Sequence, residues 1–368
     1  MVVYIITFHR AVSHGAFLQS FALQNAITNL GYETTIIDYC PKRFRYTSFA
    51  LHTSGSFLAK LLKFIPSFFA KTRMYLISKK ACENNLKMTD KTFRSLDELM
   101  AYDFGNAIFV SGSDQIWDIR YEEDLKNVLP YYLSFARGTK ISYASSCGEM
   151  DFVENKNDFK YQSIFRELLQ YKMISVREQK HAAQLNECDS RFNAKLMPDP
   201  TFLLSINEWN CFLRNKRCFP NKYILVYGLY RNKRLHDYAK SLSLKYGYRV
   251  ISISSTFDYY PKEKNVSDCN PFSLLELIRD SECVITDSFH GCALSLIFNK
   301  NIHIFVPPSS KERILNLTSM FEIENRIVDN SLLLIDNDMD YEKINKSIHA
   351  YRQRGMSFLS TGLNDKND

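Results

Sequence analysis

Short apolar runs recur along this chain, each followed by a polar or glycine-bearing cluster. Val2 to Phe8 is an apolar strand. Gly15 to Leu30 follows with apolar residues at Phe17, Leu18, Phe21, Ala22, Ala26, Ile27 and Leu30, a helical spacing. Gly31 stops that helix and Glu33 to Tyr39 reads as a second strand, giving a β-α-β unit. Ala107 to Ser111, Lys140 to Ala144, Met173 to Val176 and Lys195 to Met197 read as further strands, with a helix from Phe159 to Tyr171. Trp209 to Pro220 reads as a linker. A second series then begins with strand Tyr223 to Gly228, a basic turn from Arg231 to Arg234 and a helix to Tyr246. Strand Arg249 to Ser254, helix Phe272 to Arg279, strand Cys283 to Thr286, an apolar helix over Ala293 to Phe298, strand Asn301 to Val306 and helix Ser310 to Phe321 complete it. A last helix is predicted over Tyr341 to Leu359, and the tail from Gly362 reads as disordered.

Strands alternating with helices predict an α/β fold with parallel sheets, in which every strand points its carboxyl end at one edge. The length, 368 residues, suits two domains at roughly 150 residues each. The boundaries expected are 1–205 for an N-terminal Rossmann-like domain, 206–339 for a second, and 340–368 for a helix packing back on the first. Within the first domain, 42–103 reads as a basic amphipathic insertion. Residues 42–80 hold nine Lys/Arg and no Asp or Glu, and Pro66 is expected to divide the apolar core of this stretch into two short helices. A basic apolar face of this kind suits either anionic lipid head groups or packing over the domain with its lysines in water.

Composition narrows the picture modestly. At 45% hydrophobic and 24% charged, with 27 Phe and 22 Tyr, the chain has ample core. A net charge of +7 permits an anionic substrate, but no nucleic-acid-binding signature is present. The nine cysteines are scattered and form no C-x-x-C pair, which reads as reduced thiols in a cytoplasmic protein without structural zinc. The first ten residues read as a strand rather than a signal peptide, and no run of about 18 apolar residues is present to span a membrane.

The chemistry concentrates at the strand ends. Asp287, Ser288, Phe289, His290 and Gly291 fall between a buried strand and a helix, where backbone N–H groups attract anions. Capping of the helix by Asp287 or Ser288 accounts for part of the same pattern. Gly112, Ser113 and Asp114 follow another strand, Arg177 a third, and His14 stands before the first helix. Lys311 and Arg313 fall in a helix's first turn, against its dipole, where anion binding is one reason for them and coincidence the other. No Asp/His spacing typical of a metal site is present.

Six stretches in order resemble the polysaccharide pyruvyl transferase family: HGAFLQSFALQNAITNLGYETTIIDY, VSGSDQIW, KISYASSCGE, ISVREQ, PDPTFLL and ITDSFHGCALSLIFNK, with KERILNLTSMFEIENR a weaker seventh. The resemblance runs from about residue 1 to 330. It implies two Rossmann-like domains facing a cleft, similar to GT-B glycosyltransferases. It also implies transfer of the enolpyruvyl carbon of phosphoenolpyruvate to a sugar, giving a cyclic ketal and phosphate, without a further cofactor. The acceptor implied is a nucleotide- or lipid-linked saccharide of a cell-surface polysaccharide precursor, and the basic stretch 42–80 is the candidate for peripheral contact with the inner face of the cytoplasmic membrane.

On that resemblance Arg177 would meet the donor's anionic groups and His290 would move protons or hold the acceptor hydroxyl, facing Arg177 over a shared anion pocket. Backbone N–H groups around Gly291 would hold phosphate, Asp114 and Asp287 would orient hydroxyls or His290, His14 would touch the acceptor, and Arg313 or Lys311 would add a donor-side cation. One departure stands out. Where characterised pyruvyl transferases commonly read R-[LY]-H-G, this chain reads Ser288-Phe289-His290-Gly291, so either Arg313, Lys311 or Arg231 supplies the charge from elsewhere or this branch uses the fold differently. Two other readings stay open: a nucleotide-sugar glycosyltransferase of the same shape, and a non-catalytic member of a polysaccharide assembly complex.

Overall fold

The computed structural model describes residues 1–45, 57–120, 124–229, 232–254, 264–266, 269–329, 334–335 and 338–364; the side chains of 57–68, 70, 254 and 309 are not among those described. Arg231, the 46–56 part of the basic insertion and residues 365–368 of the tail therefore lie outside the described residues. The chain divides into two compact units, one of Met1–Ser48, Lys79–Leu204 and Ala350–Asp368, the other of Phe49–Ser78 and Ser205–His349.

The first unit is built on β1 (Val2–Ile6), α1 (His14–Asn29) and β2 (Glu33–Ile36). Helix α1 is buried along most of its length, which is why its sequence is apolar on nearly every face. The hydroxyl of Ser13 caps it by accepting from the Ala16 N–H. Helix α2 (Phe57–Asn85), whose residues up to Ser78 belong to the second unit, runs unbroken through Pro66, contrary to the expected division. Proline costs a helix one backbone bond and about 3 kcal/mol, which a long helix outweighs. Short helix α3 (Leu96–Met100) precedes β3 (Ala107–Ser111) and β4 (Thr139–Ser142). Helix α4 (Phe159–Leu168), β5 (Ser175–Val176), α5 (Gln179–Cys188) and β6 (Lys195–Leu196) follow.

The strands are parallel in the order β2-β1-β3-β4, and single bridges Ile141 to Met173 and Ser145 to Val176 carry β5 alongside β4. Chain order reverses between β1 and β3, so the crevice where such sheets bind ligands lies beyond Ile6 and Ser111.

After Leu204 the chain re-enters the second unit with helix α6 (Ile206–Cys211), which takes in the start of the expected linker, while 212–222 carry no helix or strand. Ser205 and Glu208 form a reciprocal capping box there, and Trp209 is fully buried, which fixes a segment that lacks a long apolar period. Next come β7 (Tyr223–Gly228), α7 (Lys233–Tyr246), β8 (Arg249–Ser254), β9 (Lys264–Asn265), α8 (Pro271–Asp280) and β10 (Cys283–Thr286). Helix α9 (Phe289–Ile297), β11 (Asn301–Ile304) and α10 (Lys311–Met320) complete the unit. Its parallel order is β11-β10-β7-β8-β9, with the reversal between β10 and β7. Both units are thus Rossmann-like.

Helix α11 (Tyr341–Leu363) is the last. It extends past Gly362, where disorder was expected, because Leu359 and Leu363 are buried. Its later turns belong to the first unit: Phe358 meets the Tyr143 ring, Arg352 donates to the carbonyls of Phe202 and Leu204, and Tyr32 donates to the Leu363 carbonyl. Among the described residues no helix is long and apolar enough to cross a membrane.

Candidate functional site

In the second unit the carboxyl ends of β10 and β7 are knotted together by side chains of the polar cluster. Asp287 is fully buried and its Oδ1 accepts the Leu229 N–H at 2.7 Å, directly at the reversal point. Thr286 donates its hydroxyl to the Tyr227 carbonyl at 2.7 Å and accepts the Ser288 N–H at 3.0 Å. Helix α9 starts four residues earlier than its apolar run suggested, so His290 and Gly291 lie inside its first turn. His290 is 7% exposed and packs edge-on against Phe289.

Ser288 is the N-cap, accepting the Gly291 N–H at 3.2 Å. That bond engages the Gly291 N–H itself in the cap. The glycine character of this residue has a steric reason: a Cβ there would lie 2.4 Å from the Thr286 hydroxyl oxygen and 2.9 Å from the Tyr227 ring. Ser288, where R-[LY]-H-G has its arginine, thus closes the helix start. Burial raises the Tyr227 phenol well above its ordinary range, so a protonated hydroxyl stands beside Ser288 and Asp287. Sequence reasoning missed Tyr227, which looks like one apolar residue among many in β7.

Helix α10 packs against α9 and places the basic pair in the same unit. Arg313 is half-buried and donates to the Ser310 hydroxyl at 2.7 Å, while Lys311 is exposed.

In the first unit the structure brings Gly112, Ser113, Asp114 and Arg177 into one neighbourhood. Gly112 fits where a Cβ would press on Thr7, the Ile6 carbonyl and Leu23 at 3.0–3.3 Å. Ser113 is buried and donates to the Ala144 carbonyl at 2.8 Å. Asp114 adopts φ +74°, a left-handed conformation costly for a residue with a side chain. Its Oδ1 accepts from the Gln115 N–H and its carbonyl from the Ser146 N–H. His14 is half-buried at the start of α1.

Arg177 is only 2% exposed and is held by carboxylates: Nη1 donates to Asp199 at 2.7 Å and Nε approaches Glu178 at 3.5 Å. Burial works against its charge, but Glu178, Asp199 and Asp114 outweigh that and raise its pKa. Burial works equally against the Glu178 carboxylate, yet His181, Arg177 and Ser146 bring it down to about 2. Arg177 thus anchors its own unit's strand ends, a task its place after a strand did not reveal. His290 and Asp287 belong to the other unit.

A profile of the polysaccharide pyruvyl transferase family matches residues 14–307. The chain belongs to the polysaccharide pyruvyl transferase family. The match takes in both polar clusters of the family member described above. No curated protein sequence matches the chain.

Among solved structures, UDP-GlcNAc 2-epimerase of Methanocaldococcus jannaschii is similar at TM-score 0.48 and 10% identity, covering 100% of this chain and 94% of that one. The S. aureus MnaA–UDP structure is similar at TM-score 0.49 and 9% identity, covering 100% and 93%. Phytolacca americana UGT2, complexed with UDP-2fluoro-glucose and pterostilbene, is similar at TM-score 0.42 and 10% identity, covering 100% and 95%. Likeness at these levels carries no argument about substrates.

Proposed function

We propose that this family member transfers pyruvyl, as a ketal, from phosphoenolpyruvate to a saccharide of a cell-surface polysaccharide precursor and releases phosphate. The observation that carries the reading is His290 in the first turn of α9, three residues after the buried Asp287 that ties the sheet's reversal point. Adding a proton to the donor's methylene carbon creates an oxocarbenium-like centre, and a sugar hydroxyl attacks it. A second hydroxyl then displaces phosphate. Histidine can give the first proton and take one from a hydroxyl near neutral pH. Asp287, engaged with Leu229, is the strut of this arrangement. Asp114, half-exposed on its strained backbone, is the carboxylate assigned to sugar hydroxyls. Arg313 is the cation assigned to the donor in place of the arginine that Ser288 replaces. The acceptor is a nucleotide- or lipid-linked saccharide.

The test is phosphate release from phosphoenolpyruvate by purified protein, with and without candidate saccharides. Release that depends on the saccharide, with pyruvyl recovered on the sugar, is expected. Release without transfer to any sugar would overturn the reading.

The use of Ser288 as a cap favours one other reading, a fold retained without catalysis in a polysaccharide assembly complex. Full activity of His290→Ala in whatever process the protein serves would favour that reading.

A further inference from the structure

The first unit holds a group of charges that the reaction above does not use. Asp38, just past the end of β2, is 3% exposed and accepts four hydrogen bonds. His9 Nε2 donates at 2.9 Å, Arg10 Nε and Nη2 at 2.6 Å each, and the Thr92 hydroxyl closes the set. The other ring nitrogen of His9 faces the Thr7 carbonyl at 3.2 Å. Both ring nitrogens therefore face oxygen atoms, which fixes the plane of the His9 ring against Asp38.

The arrangement fixes Arg10 rather than shielding it. Its two bonds to Asp38 form a bidentate fork, which leaves the outer edge of the guanidinium, Nη1, without an acceptor among the described residues. Its side chain keeps 15% of its surface exposed at the carboxyl edge of β1. Two more arginines stand close by: Phe93 exchanges backbone hydrogen bonds with Asp38 and Cys40, which brings Arg94 alongside them, and Arg45 reaches the same segment. Arg45 gives one long bond to the Arg94 carbonyl at 3.5 Å, and its buried Nε finds no acceptor among the described residues. Against these three guanidinium groups stand the carboxylates of Asp38 and of Glu98, which accepts the Arg94 N–H at 2.8 Å, and the positive charge left over suits an anion.

We propose that Arg10, held in place by Asp38, His9 and Thr92 and joined by Arg45 and Arg94, is a binding site for the diphosphate of a glycosyl diphosphate acceptor. The acceptor assignment rests on the reaction proposed above; the anion site itself does not. A fork locked on one side and open on the other suits a phosphate oxygen pair, and three guanidinium groups suit more than one phosphate. Arg10 is the contact, while Asp38, His9 and Thr92 are positioning residues.

The experiment is calorimetric titration of the full chain with inorganic diphosphate and, separately, with phosphoenolpyruvate. Wild-type protein is expected to bind diphosphate, Arg10→Gln to bind it at least tenfold more weakly, and Arg10→Lys to fall between. The affinity for phosphoenolpyruvate is expected to stay within twofold in both variants. Equal diphosphate binding by Arg10→Gln and wild type, or none by wild type, overturns the site. Mutually exclusive binding of diphosphate and phosphoenolpyruvate to wild type overturns the acceptor assignment and gives these arginines to the donor. Failure of wild type to bind phosphoenolpyruvate, with diphosphate binding dependent on Arg10, counts against the reaction and leaves the site standing. Should Arg10→Gln not fold, phenylglyoxal labelling of wild type decides: diphosphate is expected to protect the Arg10 peptide, and unchanged labelling overturns the proposal.

Discussion

The Leu229 N–H and the Asp287 carboxylate meet at 2.7 Å and tie the end of β7 to the end of β10. The bond spans the one place in this sheet where chain order reverses, so it fixes the floor from which His290 rises. Asp287→Ala removes the charged acceptor of the Leu229 N–H, at a cost of about 1.5–3 kcal/mol. Asp287→Asn keeps an acceptor oxygen and is expected to lose less. Urea denaturation of the two variants checks the order; equal losses would mean that the bond contributes little.

Gly291 is expected to tolerate no side chain. A Cβ 2.4 Å from the Thr286 hydroxyl cannot be relieved by rotation, because that hydroxyl is bonded to Tyr227 and Ser288. Gly291→Ala is predicted to cost about 1–3 kcal/mol. Thr286→Ala in the same chain makes room, so the double variant should lose less than the sum of the singles. Additive losses in thermal denaturation would argue against this packing.

His290→Ala is predicted to lower acceptor-dependent phosphate release by about 10²–10⁴-fold, the usual range for one acid–base group. Its circular dichroism should match that of the parent. A loss below tenfold would remove His290 from the proton transfers.

Arg177 is predicted to matter for folding before it matters for binding. Arg177→Met leaves Asp199 and Glu178 buried without their cation, a change that costs about 3–5 kcal/mol. An unchanged denaturation midpoint together with weakened phosphoenolpyruvate binding would instead make Arg177 a ligand contact.

The same cluster sets an acid limit. Glu178 is at about 2 when folded, against ~4.3 for an ordinary glutamate. The folded state therefore binds fewer protons than the unfolded one as pH falls. Stability from Glu178 is complete above about pH 4.5 and is lost as pH drops toward 2. Denaturation midpoints measured across that window should fall steeply for wild type and more gently for Glu178→Gln.

The strands could be read from sequence because both faces of these sheets are covered, so Cys283–Thr286 and Ala107–Ser111 are plain apolar runs. The polar clusters were legible for the same reason, since each interrupts such a run at the ligand-binding edge. What stayed hidden depends on distance along the chain. His9, Arg10, Asp38 and Thr92 are scattered over three segments, and only folding makes one charge cluster of them. The ion pair of Arg177 was hidden because its partner Asp199 comes 22 residues later. Trp209 was missed for a local reason: a six-residue helix is too short to show a period, although its S-x-x-E box was in view.

Helix α11 bears on how the chain is made. Phe358 and Leu359 fill space against a domain whose strands begin at Val2, so the segment translated first waits for one translated much later. On the ribosome the early strands would emerge with Tyr143 uncovered and apolar, in want of a chaperone or of simple delay, while the second Rossmann-like unit could finish ahead of the first.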